Sequence, residues 1–227
     1  MKEEYTCDTY PSIGKKYNGE KAIISLTSWK KRINTVSKTI YSLIKNCPGF
    51  HIVLVLSEEE FPEKTLPNDL KLFVANNLIE VLWVYKNYKV FKKFIFTMNK
   101  YKTVPIICAD DDCLYLTNYA EDLYNTWLKC PNMIINRLSY INSGQGLLFP
   151  PNCFNGIDLL TLKHKHLNLT SVDCYILALC KKLKIQIYFE CKNKITAQHT
   201  NISPIDMSRF TKKEHKKLIM ELYKKLC

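Results

Sequence analysis

The feature that most constrains the fold of this chain is an apolar stretch that runs directly into three consecutive aspartates. Val104–Cys108 is apolar and rich in β-forming residues, which predicts a buried strand. Asp110, Asp111 and Asp112 follow, and the chain then turns apolar again. Adjacent carboxylates repel one another, and each is costly to bury without a partner. The stretch therefore predicts a strand that ends in a cation site, with a solvated acidic turn as the alternative.

The cation predicted for this site is Mn²⁺ or Mg²⁺. Hard divalent ions prefer carboxylate oxygens and keep coordination positions open for substrate phosphates. Ligands of α/β sheets bind at the carboxyl ends of the strands, which is where these aspartates are expected. Asp110 and Asp112, one residue apart, are the candidates for holding a metal–diphosphate.

Strand-like and helix-like stretches alternate along most of the chain. Further strands are predicted at Ala22–Leu26, His51–Leu56, Ile79–Val84, Met133–Arg137, Leu147–Phe149 and Ile185–Phe189. Helices are predicted at Asn34–Lys45, Tyr88–Tyr101 and Tyr175–Leu183. The alternation predicts an α/β fold with a mainly parallel central sheet flanked by helices. We expect one domain over residues 1–227, in which 1–20 is an irregular leader and 208–227 is a basic amphipathic C-terminal helix.

The composition indicates the kind of partner and compartment. A formal net charge of +12 favours anionic partners such as nucleotides, phosphorylated lipids, nucleic acid or a membrane surface. The amino terminus has no apolar run typical of a signal peptide, and the ten cysteines are scattered without a CxxC pair. We therefore expect a cytoplasmic protein with reduced thiols. The C-terminal helix is expected to pack on the domain, and the alternative is peripheral contact with an anionic membrane at its inner face.

The loop after the first predicted strand supplies polar groups. It contains the hydroxyls of Thr27 and Ser28 and the guanidinium of Arg32, and such loops commonly line nucleotide sites. The chain contains neither GxxxxGK[ST] nor GxGxxG after a strand, so neither a P-loop nor a dinucleotide fingerprint would hold a nucleotide. The alternative for Arg32 is a solvated residue at the start of a helix.

Four motifs, in a fixed order, carry a resemblance to a known family. They are ISLTSWKKRI at Ile24–Ile33, LSEEEFP at Leu56–Pro62, YKVFKKF at Tyr88–Phe94 and ADDDCLY at Ala109–Tyr115. Together they resemble a group of small bacterial glycosyltransferases of the GT-A fold, often encoded with capsule or lipopolysaccharide genes. Two later stretches, Gly144–Pro151 and Ser171–Tyr175, resemble the same group. The resemblance implies a GT-A-like domain that moves a sugar from a nucleotide-sugar donor to a polysaccharide or lipid-linked acceptor.

The resemblance also implies roles for individual residues. A divalent metal would be held at two aspartates one residue apart, with Asp112 as a ligand and Asp110 as a ligand or a contact of the donor ribose. Of the adjacent pair Lys92 and Lys93, at most one is expected to point at the site, and a solvated helix face is the alternative. The candidate donor-binding residues are Thr27, Ser28, Arg32, Lys92, Lys93, Asp110 and Asp111.

Two later residues complete the predicted site. The family often has two carboxylates followed by an aromatic residue, and only Asp173 stands at that motif here, which makes it the candidate general base for an acceptor hydroxyl. A compatible alternative is that Asp173 caps the helix that follows it. His199 is the candidate for a further metal ligand, with a surface or core histidine as the alternative.

Two other classes of function were compared with the transferase. A phosphatase of the haloacid-dehalogenase type also places Asp-x-Asp after a strand, but it expects a threonine where this chain has Leu114. A nucleic-acid-binding module would use the positive charge, but the lysines are spread along the chain and no zinc, helix-turn-helix or RNA-binding signature is present. We therefore expect an enzyme without a nucleic-acid partner.

Overall fold

The structure is a computed structural model that describes residues 10–154 and 172–190, together with the backbone of residues 197–199. The predicted C-terminal helix at 208–227 lies outside the described residues, as does the first part of the predicted leader. Within the described part, no helix is both long enough and apolar enough to cross a bilayer.

Strands and helices alternate along the described chain. The strands are β1 (Ser12–Gly14), β2 (Ile23–Thr27), β3 (His51–Ser57), β4 (Glu80–Val84), β5 (Ile106–Cys108), β6 (Cys113–Tyr115), β7 (Ile134–Asn136), β8 (Leu147–Phe149), β9 (Ile187–Phe189) and β10 (Ala197–His199). The helices are α1 (Val36–Asn46), α2 (Asn68–Ala75), α3 (Lys92–Lys100), α4 (Tyr119–Lys129) and α5 (Val172–Leu183). A 3₁₀ turn at Lys89–Phe91 leads into α3.

One mixed sheet organises the molecule, with strand order β1-β4-β3-β2-β5-β8-β7-β9. Its centre, β4-β3-β2-β5, is parallel. Antiparallel pairs join β1 to β4, β8 to β5 and β7 to β8, whereas β9 is parallel to β7. The predicted α/β class is thus confirmed, with antiparallel strands on both sides of the parallel centre. A separate antiparallel pair consists of β6 and β10.

The sheet buries both of its faces, because neighbouring residues of a strand point to opposite sides. In β2, Ile23 packs with side chains of α3 and α5. The next residue, Ile24, and also Leu26 pack with side chains of α1, α2 and α4. The described residues therefore form three layers, with helices on each side of a central sheet.

Five elements of the described chain were not predicted from the sequence, namely the strands β1, β6 and β10 and the helices α2 and α4. The strand β1 lies inside the segment expected to be an irregular leader, and it pairs with β4, so that expectation is wrong for Ser12–Gly14. A strand of three residues is too short to show apolar alternation. The sequence pattern also predicts neither α2 nor α4, because their buried stripes are narrow: α2 buries Leu70, and α4 buries Tyr119, Ala120 and Leu123.

A buried ion-pair network lies at the amino ends of β3 and β4. Glu80 is 1% exposed, and its Oε2 lies 2.8 Å from Nε2 of His51. Lys100 donates to Oε1 at 2.5 Å, and the hydroxyl of Tyr101 donates to Oε2. Burial alone would raise the pKa of Glu80, but these three partners lower it to about 2.

We predict that Glu80→Gln lowers the free energy of unfolding at pH 7 by roughly 3 kcal/mol, since the depressed pKa of Glu80 measures how strongly the fold favours its charge. The contribution is fully present above the unfolded pKa of about 4.5 and is lost as the pH falls towards 2. Urea unfolding at several pH values checks this, with Glu63→Gln, an exposed glutamate, as the control. A cost for Glu80→Gln that does not shrink on acidification would contradict the prediction.

Candidate functional site

The three aspartates lie at the carboxyl end of β5, where the chain turns into β6. We call residues 110–112 the acidic turn. The strands β2 and β5 are parallel neighbours, with Ser25 opposite Cys108. The chain places β3 and β4 on one side of β2 and then returns to place β5 on the other side. Such a change of direction opens a crevice at the carboxyl ends of the strands, where open α/β sheets bind their ligands.

Asp111 points into the protein and anchors the acidic turn to the loop after β2. The hydroxyl of Ser28 donates to its Oδ2 at 2.7 Å, and Nη1 of Arg32 donates to its Oδ1 at 2.7 Å. Its side chain is only 9% exposed, and burial raises its pKa, an effect that Ser28 and Arg32 offset in part. The carboxylate of Asp111 is therefore engaged within the protein.

Arg32 also forms an ion pair with a second aspartate through the same nitrogen. Its Nη1 lies 2.9 Å from Oδ2 of Asp112, whose side chain is 17% exposed. Burial lowers the pKa of Arg32, but the aspartates beside it outweigh this effect and raise it. Arg32 is therefore a buried cation between two carboxylates, and the alternative of a solvated helix-start residue is wrong.

Lys93 supplies the second buried cation, from α3 on the other side of the sheet. Its Nζ donates to Oδ1 of Asp110 at 2.5 Å and to the carbonyl of Ser143 at 3.4 Å. Burial lowers the pKa of Lys93, but the Asp110 carboxylate outweighs this effect, so the pKa is raised and the amine is charged. The Asp110 side chain is 34% exposed and is the most open of the three aspartates.

Lys92 turns away from the acidic turn. Its Nζ donates to Oε2 of Glu60 at 2.7 Å and to Oδ1 of Asn87 at 2.8 Å. Burial lowers its pKa, and Glu60 partly offsets this. It thus joins the loops that follow β3 and β4, and Lys93 is the member of the pair that contacts an aspartate.

A glycine-containing loop packs against Asp110. We call residues 142–146 the glycine loop. A Cβ built on Gly144 would lie 1.6 Å from Oδ2 of Asp110, so only glycine fits there without movement. The Tyr115 hydroxyl donates to the carbonyl of Gly144 at 2.6 Å and accepts the N–H of Asp110 at 2.7 Å. The glycine loop and the acidic turn are therefore in direct contact.

Asp173 reaches the same loop from the first turn of α5. Its Oδ1 accepts the N–H of Ser143 at 3.0 Å. Burial raises its pKa, and the Ser143 N–H and the nearby Lys93 charge lower it in part. Because α5 begins at Val172, the expectation that Asp173 caps the helix from the preceding position is wrong. Its carboxylate is bonded to the glycine loop.

Two predicted site residues are placed less directly. The Thr27 hydroxyl donates to the carbonyl of Val55 at 2.6 Å, within the sheet. His199 ends β10, and its backbone is opposite Cys113, the residue after the acidic turn. The side chain of His199 lies outside the described part of the structure, so its role as a metal ligand stays a prediction.

Three polar residues of α1 bond to the acidic turn or to the strand β6 after it, and they were not singled out in the sequence. Thr39 donates to the carbonyl of Asp111 at 3.0 Å. Ser42 accepts the N–H of Tyr115 at 2.9 Å, and Asn46 donates to its carbonyl at 2.8 Å. Their spacing of three and four residues puts them on one helix face. A sequence signal for this role was available, because polar residues within the buried stripe of a helix indicate hydrogen bonds to a neighbouring element.

The arrangement fits a divalent cation that a substrate helps to hold. Among the described residues, no group of three or more His, Cys, Asp or Glu side chains is placed to hold a metal ion. Three carboxylates against two buried cations nevertheless leave a net negative charge, and Asp110 and Asp112 are the more exposed ones. Magnesium is commonly bound by one or two carboxylates together with substrate phosphates, so two aspartates suffice.

Comparisons with known proteins gave structural similarities alone. No protein-family model matches the chain, and no curated protein matches it. The solved structures that are similar in part include the following three. GalNAc-T7 with UDP, GalNAc and Mn²⁺ has a TM-score of 0.43 and 20% identity, over 58% of this chain and 25% of that one. A 4-diphosphocytidyl-2C-methyl-D-erythritol synthase has a TM-score of 0.49 and 13% identity, over 80% and 94%.

The third structure is the apo form of the glycosyltransferase GlyE in Streptococcus pneumoniae TIGR4, with a TM-score of 0.43 and 12% identity over 74% of this chain and 45% of that one. This chain thus spans about a quarter of the length of GalNAc-T7 and less than half that of GlyE. With such low identities and TM-scores, the function of this chain has to be inferred from its own residues.

We predict that Arg32→Met lowers the free energy of unfolding by about 3–5 kcal/mol, because it leaves Asp111 buried without its cation. The matched control is Lys30→Met, which removes an exposed cation from the same loop and should change stability by less than about 0.5 kcal/mol. Chemical unfolding of both variants checks this. Equal effects would show that the buried pair contributes little.

We predict that Gly144→Ala lowers the free energy of unfolding by about 1–3 kcal/mol, since the added methyl group would overlap the Asp110 carboxylate. In an Asp110→Ala background that carboxylate is gone, so the same substitution should cost less than half as much. A double-mutant cycle measured by chemical unfolding isolates this coupling. An identical cost in both backgrounds would contradict the close approach of the two residues.

Proposed function

We propose that this chain is a metal-dependent glycosyltransferase that moves a sugar from a nucleotide-sugar donor to a glycan or lipid-linked acceptor. The observation that carries the proposal is the position of the acidic turn at the carboxyl end of β5, where the strand order of the sheet changes direction. Two of its carboxylates, those of Asp110 and Asp112, are partly exposed, and buried cations hold them from the protein side. The ordered motifs that resemble small bacterial GT-A glycosyltransferases support the same function and suggest polysaccharide biosynthesis.

The donor would bind at the acidic turn. Asp110 and Asp112 would hold Mn²⁺ or Mg²⁺, with His199 as a further candidate ligand. When bound, the ion would neutralise the charge that develops on the departing nucleoside diphosphate. The net negative charge of the turn supports this dependence, because it would repel a diphosphate that arrived without a cation.

The buried cations would act on the donor through the aspartates that they hold. Arg32 and Lys93 fix the carboxylates, and Ser28 fixes Asp111. Thr27 bonds to β3, and Lys92 bonds to the loops after β3 and β4. Both would therefore stabilise the elements around the donor pocket without contacting the donor. Rigidly held ligands keep the reacting groups in a productive geometry, which is a large part of catalysis.

Asp173 would be the general base. A carboxyl group with a raised pKa is better matched to proton transfer near neutral pH than an ordinary one. It would take the proton of the acceptor hydroxyl while that oxygen bonds to the anomeric carbon and the nucleoside diphosphate leaves. Its bond to the glycine loop supports this role, because that loop also contacts Asp110.

The location follows from composition and acceptor class. We propose a cytoplasmic location, where a net charge of +12 would attract the chain to the inner face of an anionic membrane that holds a lipid-linked acceptor. Nucleotide-sugars are themselves anionic, so the same charge would favour the donor.

We predict that one nucleotide-sugar, in the presence of Mn²⁺, raises the melting temperature by several degrees, since a ligand at about 100 times its Kd stabilises by about 2.7 kcal/mol. The shift should disappear in Asp112→Asn and persist in Asp69→Asn, which changes an exposed aspartate on α2. A thermal-shift screen of nucleotide-sugars with and without Mn²⁺ measures it.

The opposite result would identify a different function. Stabilisation by single-stranded nucleic acid without any response to nucleotide-sugars would overturn the transferase and favour a nucleic-acid-binding module. Stabilisation by a nucleotide-sugar that survives Asp112→Asn would place the donor elsewhere.

A further inference from the structure

Tyr115 joins the acidic turn to the glycine loop through one hydroxyl. Its side chain is fully buried at the end of β6. The hydroxyl accepts the backbone N–H of Asp110 at 2.7 Å and donates to the carbonyl of Gly144 at 2.6 Å. One atom therefore bonds to both segments.

Side chains from α3 and α5 also connect the same two segments. Lys93 bridges Oδ1 of Asp110 and the carbonyl of Ser143, and Asp173 accepts the N–H of Ser143. Gly144 leaves no space between the loop and the Asp110 carboxylate. The position of the glycine loop therefore fixes the position of the Asp110 carboxylate, and the loop also connects this carboxylate to Asp173.

We propose that Tyr115 is a positioning residue that holds the acidic turn and the glycine loop as one unit and so sets the geometry of Asp110 for the donor. It does not touch the donor itself, because its side chain is completely buried. This inference rests on the proposed function for its consequence in ligand binding, but the coupling of the two segments can be tested without any ligand.

A phenylalanine at this position would keep the ring and remove the hydroxyl that bonds to both segments. The N–H of Asp110 and the carbonyl of Gly144 would each lose a partner in a poorly hydrated place, and groups of this kind are unfavourable unless they find another bond. The two segments would then be held together less tightly. The Asp110 carboxylate would still bond to Lys93, but its position would be less restricted.

The chain contains a matched control. Tyr119 is also fully buried, and its ring centroid lies 4.3 Å from that of Tyr115. Its hydroxyl donates to the carbonyl of Cys108 at 2.6 Å, a backbone bond like that of Tyr115 to Gly144. Tyr119→Phe therefore removes the same kind of group from the same core, without removing a hydrogen bond of the acidic turn or the glycine loop.

Amide hydrogen exchange tests the coupling directly. In Tyr115→Phe, we expect peptides that cover residues 109–115 and 140–147 to exchange at least about tenfold faster than in the wild type, and in Tyr119→Phe we expect them to stay close to it. Equal acceleration in both variants, or none in Tyr115→Phe, overturns the proposal. If Tyr115→Phe does not fold, Gly144→Ala loosens the same contact from the other side, and the same two segments should respond.

Calorimetric binding tests the consequence for the donor. The probes are UDP, GDP, CDP and dTDP, each with Mn²⁺. For the one that binds the wild type, Tyr115→Phe should raise the Kd about tenfold and Tyr119→Phe less than about twofold. Equal affinities in the two variants would overturn the positioning role. If none of the probes binds the wild type, the donor site fails, while the exchange experiment still decides whether Tyr115 couples the two segments.

Discussion

The structure depends on the partial neutralisation of three adjacent carboxylates at the end of a central strand. Arg32 and Lys93 supply the two buried charges, and they come from opposite layers of the molecule. Arg32 follows β2 and precedes α1, whereas Lys93 belongs to α3 across the sheet. Because an unpaired buried charge is strongly unfavourable, both helical layers must dock correctly before the acidic turn can adopt this shape.

This constraint gives the three aspartates different tasks. Asp111 has a structural role, since Ser28 and Arg32 bond to its carboxylate and Thr39 bonds to its carbonyl. Asp110 keeps the most contact with solvent. The inner aspartate therefore secures the turn, and its two neighbours are the more exposed carboxylates. Glu80, at the amino end of β4, resembles Asp111 in this respect. It is a buried carboxylate that is surrounded by hydrogen-bond partners within the protein.

The sequence predicted the strands well, because a strand buried on both faces is a continuous apolar run. Leu147–Phe149 is confirmed to the residue, and β3 differs from its prediction by one residue. The narrow buried stripes of α2 and α4 carry no such signal. The sequence identified Asp110–Asp112 and Arg32 as candidate site residues. It did not predict that they pair, because the pairing depends on which strands become neighbours. Tyr115 reads as one more apolar residue, since only the folded chain shows where its hydroxyl points.

The distance along the chain between the partners has a consequence for assembly. Ser28 and Arg32 precede Asp111 by 83 and 79 residues, and β3 and β4 lie between them. Closing so long a loop is entropically unfavourable until the intervening strands have formed, so we expect this pairing to form after β3 and β4. During synthesis, Arg32 emerges well before its carboxylate partner. The addition of β5 beside β2 therefore completes the parallel centre of the sheet and brings the acidic turn to Ser28 and Arg32 at the same time.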